Sequence, residues 1–178
     1  MAQTATIYNM SIDLSNVDRG VYEQIELRIA RQPSETMEYM LLRMLAYCME
    51  YQEGIALTEG VASGDEPAIL VRDMTGRIVA WIEVGLPDAS RLHRGSKLAG
   101  RAVVYTHRGP LLMRQLAGEK IHRAEDVRIY VLDSDFIDEI SAVIDRRCSI
   151  GLSIIEQQMY LTINGKDFNT VITEHRLA

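Results

Sequence analysis

Within the first fifty residues the apolar period switches from two to about 3.6, and this switch restricts the chain to a fold that mixes strands and helices. In "VYEQIELRIA", Val21, Glu23, Ile25, Leu27 and Ile29 share one face. Gln24, Glu26 and Arg28 point the other way, as in a half-exposed strand. "TATIYNMSIDL" reads as its hairpin partner, joined through "SNVDRG". From Pro33 onward Met37, Met40, Leu41, Met44, Leu45 and Cys48 recur at helical spacing. Pro33 and Ser34 mark the start of that helix, and Glu35 falls in its first turn, where the helix dipole favours a carboxylate. The methionines read as core filler.

Three short strands are expected next, in "GIALTEG", "AILVRD" and "RIVAWIEV". The last two are joined by "DMTG", a turn of the Asp/Gly kind. "PDASRLHRGSKLAG" reads as a helix with Asp88 as N-cap, and "RAVVYTH" as a fully buried strand. A strand–helix–strand step of this length suits a crossover to a parallel neighbour. A second such step follows, through a helix in "GPLLMRQLAGEK" with Pro110 early in it and a strand in "VRIYVLD". Ser134 is the expected cap of a helix in "SDFIDEISAVID". "CSIGLSIIE", "QMYLTI" and "FNTVITEH" read as closing hairpins, the last pair joined at Asn164-Gly165. The simplest account is one α/β domain over residues 1–178 with a mixed sheet.

At 178 residues the chain can bury a full core, and its 47% hydrophobic and 25% charged content is that of a globular protein. Its longest apolar runs fall short of the roughly 18 residues of a membrane span. "MAQTATIYNMSID" lacks the basic start and apolar core of a signal peptide. Cys48 and Cys148 have no CxxC partner, so reduced structural thiols and a cytoplasmic location are expected. Zinc is not expected, since no Cys/His pair has ligand spacing.

The net charge of −6 argues against indiscriminate nucleic-acid binding. Its distribution is uneven. From Asp88 to Arg123 there are eight Lys/Arg and two Asp/Glu, together with His93, His107 and His122. Such a segment either offers one face to an anion or reflects basic helix surfaces with no ligand.

Glu83 interrupts the apolar strand "WIEV" near its C-terminal end, where ligand crevices form in open α/β sheets. The turn at residues 73–76 places the start of the preceding strand beside it, so Asp65 or Glu66 can approach Glu83. Two close carboxylates repel unless a proton or cation lies between them, and magnesium suits that role. Arg91, Arg94 and Lys97 follow at three-residue spacing and give the next helix a basic front, interrupted by Leu98, for a phosphate. In the bland alternative Glu83 is an exposed edge residue or pairs with a core arginine such as Arg43, and "GDEP" is a solvated turn.

"RQPSET", "GDEP", "WIEVGLPD" and "RLHR", in this order and across nearly the whole chain, resemble the YaeQ family. The resemblance implies a variant of the PD-(D/E)XK, or restriction-endonuclease-like, fold, with a core ordered helix–three strands–helix–strand. It implies Asp65, Glu66 and Glu83 as counterparts of the metal-binding acids. The acid-x-lysine signature wants lysine where this chain has Gly85, and the resemblance points to Arg94 or Lys97 as substitutes. Arg94 cannot transfer protons near neutral pH but can stabilise phosphoryl charge. Glu35 and Glu38 match a helix glutamate that assists such sites. The leading expectation is a magnesium-dependent nuclease-like protein. In it Asp65, Glu66 and Glu83 hold metal, while Arg91, Arg94 and Lys97 hold a nucleic-acid phosphodiester. The alternative is a non-catalytic module of the same fold that binds nucleic acid or a protein partner.

Overall fold

A computed structural model describes residues 4–59 and 65–177. The N-terminal hairpin is present: β1 (Thr6–Asn16) pairs antiparallel with β2 (Val21–Arg31). β1 also pairs on its other side, in parallel, with β8 (Arg147–Ile155). β9 (Gln158–Ile163) and β10 (Lys166–Val171) then complete a five-stranded mixed sheet of order β10-β9-β8-β1-β2. Between β9 and β10, Asn164 and Gly165 both take positive φ, 47° and 85°, as a two-residue hairpin turn requires.

A second mixed sheet has the order β11-β7-β6-β5-β4-β3. Its short antiparallel edge is β3 (Ile55–Leu57), β4 (Ile69–Arg72) and β5 (Ile78–Val84). β5, β6 (Ala102–Thr106) and β7 (Arg128–Val131) run parallel. The expectation of one mixed sheet is therefore corrected to two. "FNTVITEH" is also split: after β10 in the first sheet, the chain turns at buried Ile172 and enters the second sheet as β11 (Thr173–Arg176), antiparallel to β7.

Helix α1 (Met37–Met49) lies between the sheets, and its flat burial profile shows why so many residues in it are apolar. Met40, Leu41, Leu42, Met44, Leu45 and Cys48 are essentially inaccessible and join both sheets in one core. α4 (Ser134–Ser141) packs beside α1. The outer face of the second sheet carries a separate core of Trp81, Val104 and Ile129 under α2 (Ala89–Leu98) and α3 (Gly109–Leu116). Two cap assignments are corrected. The cap of α1 is Thr36, whose side chain accepts from the Tyr39 N–H, so Glu35 stands outside the first turn. α4 is preceded by Asp133 at the N-cap, with Ser134 as its first residue.

Both cysteines are free and buried, and burial pushes the Cys48 thiol up to about 12. Among the described residues no helix is long and apolar enough to cross a membrane.

Candidate functional site

Side chains alternate along β5, so Ala80, Ile82 and Val84 enter the core shared with α1, while Trp81 and Glu83 point to the α2 side. Glu83 is 2% exposed. Its Oε2 accepts from Trp81 Nε1 at 3.0 Å and from Arg91 Nε at 2.9 Å. Arg91 Nη2 lies 3.5 Å from Oε1, and the Ala68 backbone just before β4 is close enough to favour the charged carboxylate. Burial pushes the Glu83 carboxyl up from the usual carboxylate range, and Arg91, Trp81 and Ala68 pull it back down.

The start of α2 explains how Arg91 reaches the strand. Gly85, at φ +80°, turns the chain out of β5, and Asp88 caps α2 by accepting the Arg91 backbone N–H at 2.9 Å. That bond holds the Asp88 carboxyl below its usual range and puts a carboxylate of the chain itself at the helix N-terminus expected to receive an anion. Arg91 is thereby pinned in the first turn, with its side chain folded back over Glu83. Its Nη2 also donates to the Glu66 carbonyl. The guanidinium bridges the two strands that the sequence places side by side.

The other expected residues stand around this pair. Arg94 lies over the Trp81 ring, 5.9 Å from its centroid, and 3.6 Å from the Asp65 carboxylate. The Asp65 side chain is 96% exposed, so that contact is screened and weak. Glu66 contributes its main-chain carbonyl, and Lys97 is exposed. Asp65 and Glu66 are not gathered with Glu83 around a common point. Among the described residues no three of His, Cys, Asp and Glu converge as metal ligands. The undescribed positions 1–3, 60–64 and 178 include none of these residue types. As placed, the donor set fits a guanidinium and does not fit a divalent cation.

Arg43, a possible partner of Glu83 from sequence, instead holds Glu35: Nε donates to Oε2 at 2.7 Å and Nη2 to Oε1 at 2.8 Å. Glu38 is half-buried in the first turn of α1 and acts electrostatically on His107, whose imidazole burial holds below the usual range. The basic segment is less basic in space than in sequence. Arg91, Arg94, Arg101 and Arg123 pair with Glu83, Asp65, Glu50 and Asp126, acids outside residues 88–123. His93 is structural, accepting the His122 backbone N–H at 2.9 Å.

Two residues at the site escaped the sequence reading. Trp81 is two positions before Glu83 on the same strand face, a spacing that would have marked it. Tyr39 left no such signal. It packs near Gly85 and close enough to Glu83 for the charge to help raise its phenol, which burial chiefly pushes up to about 12. A Cβ at Gly85 would lie 3.3 Å from Tyr39 Cδ2. Gly85→Lys, which restores the acid-x-lysine spacing, is therefore expected to lose about 1–2 kcal/mol through left-handed backbone strain. Urea unfolding checks this, and a loss below about 0.5 kcal/mol would show that the turn tolerates a side chain.

Among the described residues, fold and site together define a mixed α/β protein of two open sheets and four α-helices, with an arginine-paired glutamate at the end of an interior strand. The family model described as "YaeQ protein" matches residues 1–172, and the chain belongs to that family. It is 29% identical over 175 residues to the "Uncharacterized protein YaeQ" of Escherichia coli (strain K12), covering 97% of each chain. The Salmonella typhi protein of the same name is 30% identical over 164 residues, 91% of each. Among solved structures, the YaeQ protein from Xanthomonas axonopodis pv. citri superposes with a TM-score of 0.89 at 26% identity, covering 97% of this chain and 99% of that one. The YaeQ protein from Pseudomonas syringae gives 0.85 at 29% identity, covering 99% and 100%.

Proposed function

We propose that the chain is a non-catalytic module of restriction-endonuclease-like descent that binds a nucleic-acid phosphodiester at the Glu83–Arg91 crevice. The element order α1–β3–β4–β5–α2–β6, with β5 and β6 parallel, supports the descent. One observation carries the binding reading: Arg91, locked on Glu83 with 24% of its side chain at the surface, lies beside Arg94, which is 42% exposed. Two guanidinium groups held in place at the carboxyl end of a strand suit phosphate oxygens, because the planar fork loses little freedom on binding. Exposed Lys97 extends the same face. Gly85, in the place of the lysine, and the neutralised Glu83 carboxylate favour binding over cleavage.

The test is oligonucleotide binding at low salt in the presence of a chelator. Wild type should bind weakly, with a log–log salt slope of about −0.9 per phosphate contact on duplex. The double substitution Arg94→Glu with Lys97→Glu should weaken binding at least tenfold in a chain that still folds, since both side chains reach the surface and Arg94 gives up contacts to the Trp81 ring and exposed Asp65. Unchanged binding in that variant removes this face from consideration. A metal-dependent nuclease is the second reading, favoured by Asp65 and Glu66 flanking the crevice. Magnesium-dependent cleavage of single- or double-stranded DNA or RNA, lost in Glu83→Gln, would replace the binding reading with that one.

A further inference from the structure

We infer that Arg91 is the built-in cation of the Glu83 site and keeps divalent metals out of it. The carboxylate receives N–H groups from Trp81 and Arg91, so its lone pairs are already directed at nitrogen donors. The same guanidinium takes the Glu66 carbonyl. A carboxylate and a main-chain carbonyl are the oxygens that a hard divalent cation seeks. Here one flat monovalent cation spans both. A metal would have to displace Arg91 and draw an oxygen away from Trp81, and then gather further ligands. Asp65 points to solvent and offers little toward that shell.

Arg91 holds this position by design of the helix start. Its backbone N–H is tied to the Asp88 side chain at 2.9 Å, so the first turn cannot rotate without losing the cap. Trp81 closes the other side, and α2 approaches it at Gly95, where a Cβ would meet ring atoms at 2.4 Å. The consequence for specificity is that the crevice accepts an anion beside its own arginine with no metal bridging the two. That consequence rests on the binding reading above, whereas the exclusion of metal does not.

Manganese titration of the full chain tests the inference, by calorimetry or by loss of the free-ion electron paramagnetic resonance signal. Wild type and Glu83→Gln should titrate alike, because Glu83 is closed to metal in both. Arg91→Ala opens the carboxylate, and should bind manganese at least tenfold more tightly than the double variant Arg91→Ala with Glu83→Gln. Removing Arg91 leaves a buried charge that can block folding. Arg91→Gln, which keeps a donor for the carboxylate, then serves in its place, and the comparison of wild type with Glu83→Gln needs neither. A manganese site in wild type that Glu83→Gln abolishes overturns the inference. So does a folded Arg91 variant that binds manganese no better than its Glu83→Gln double. Failure of oligonucleotide binding alone leaves the metal result standing, and oligonucleotide binding that requires a divalent ion overturns metal exclusion while sparing the binding reading.

Discussion

Arg43→Ala is expected to lose about 3–5 kcal/mol of stability, the range for removing one partner of a buried ion pair. Arg43 is 1% exposed in a helix enclosed by both sheets, and the Glu35 side chain it holds is fully inaccessible. The contact is bidentate, and Arg43 Nη2 also donates to the Ala30 carbonyl of β2 at 2.7 Å. Alanine leaves the buried Glu35 carboxyl with the Gln32 N–H as its donor and takes the guanidinium from the Ala30 carbonyl. The uncompensated charge outweighs any gain from the stronger helix propensity of alanine, which is worth only a few tenths of a kcal/mol. Combining Arg43→Met with Glu35→Gln removes both charges at nearly constant volume and should recover most of the loss. Guanidinium unfolding of wild type, Arg43→Met, Glu35→Gln and their double variant measures the coupling. A loss under about 1 kcal/mol for Arg43→Ala would mean that water reaches Glu35 and the pair is not a tie between β2 and α1.

Gly95→Ala sets two effects of opposite sign against each other. Within a helix the change should gain about 1 kcal/mol from propensity. The added Cβ, however, would fall 2.4 Å from Trp81 Cδ1 and Cγ and 2.6 Å from Cδ2. Trp81 is 1% exposed in the core under α2, so the ring has no open direction in which to move. Overpacking of this kind costs about 1–3 kcal/mol or more, and the net result is expected to be destabilising. Any shift of the indole also changes its hydrogen bond to Glu83. Since Trp81 is the only tryptophan, its emission should move along with the unfolding midpoint. A stabilised variant with wild-type emission would show that α2 can back away from β5 freely.

Both residues illustrate what a one-dimensional reading misses. α1 was legible because its apolar positions repeat at helical spacing, and the first hairpin because Ile25, Leu27 and Ile29 alternate with charge. Asp88 as a cap, the turn at 73–76 and Asn164-Gly165 were legible because each depends on neighbours within four residues. The eight-residue separation of Glu35 and Arg43 carries no such local mark, since Glu35 lies outside the helix and reaches back over two turns. At the candidate site the sequence placed Glu83, the 65–66 segment and Arg91 in one region, which they occupy. The nature of the cation beside Glu83 was not legible. An acid at a strand end followed by a basic helix is compatible with a metal or with an arginine, and the choice depends on the direction the Asp88 cap gives to the first turn. Likewise the split between β10 and β11 follows from the turn at Ile172 and the pairing of β11 with β7, more than forty residues upstream and invisible to any short window.

The parallel pairing of β1 with β8 also bears on how the chain is made. Residues 9–16 must find residues 147–154, and β9 and β10 assemble onto β8 only afterwards in chain order. At 5–20 residues per second, roughly seven to thirty seconds of synthesis separate the two partners. During that interval Met10, Ile12 and Leu14 have no second strand beside them, and β1, an inner strand of the finished sheet, is an open edge on the nascent chain. Folding of the first sheet is thereby deferred until residues 147–154 have been made. A chain released before β8 would carry that edge permanently, as a template for pairing with a neighbour.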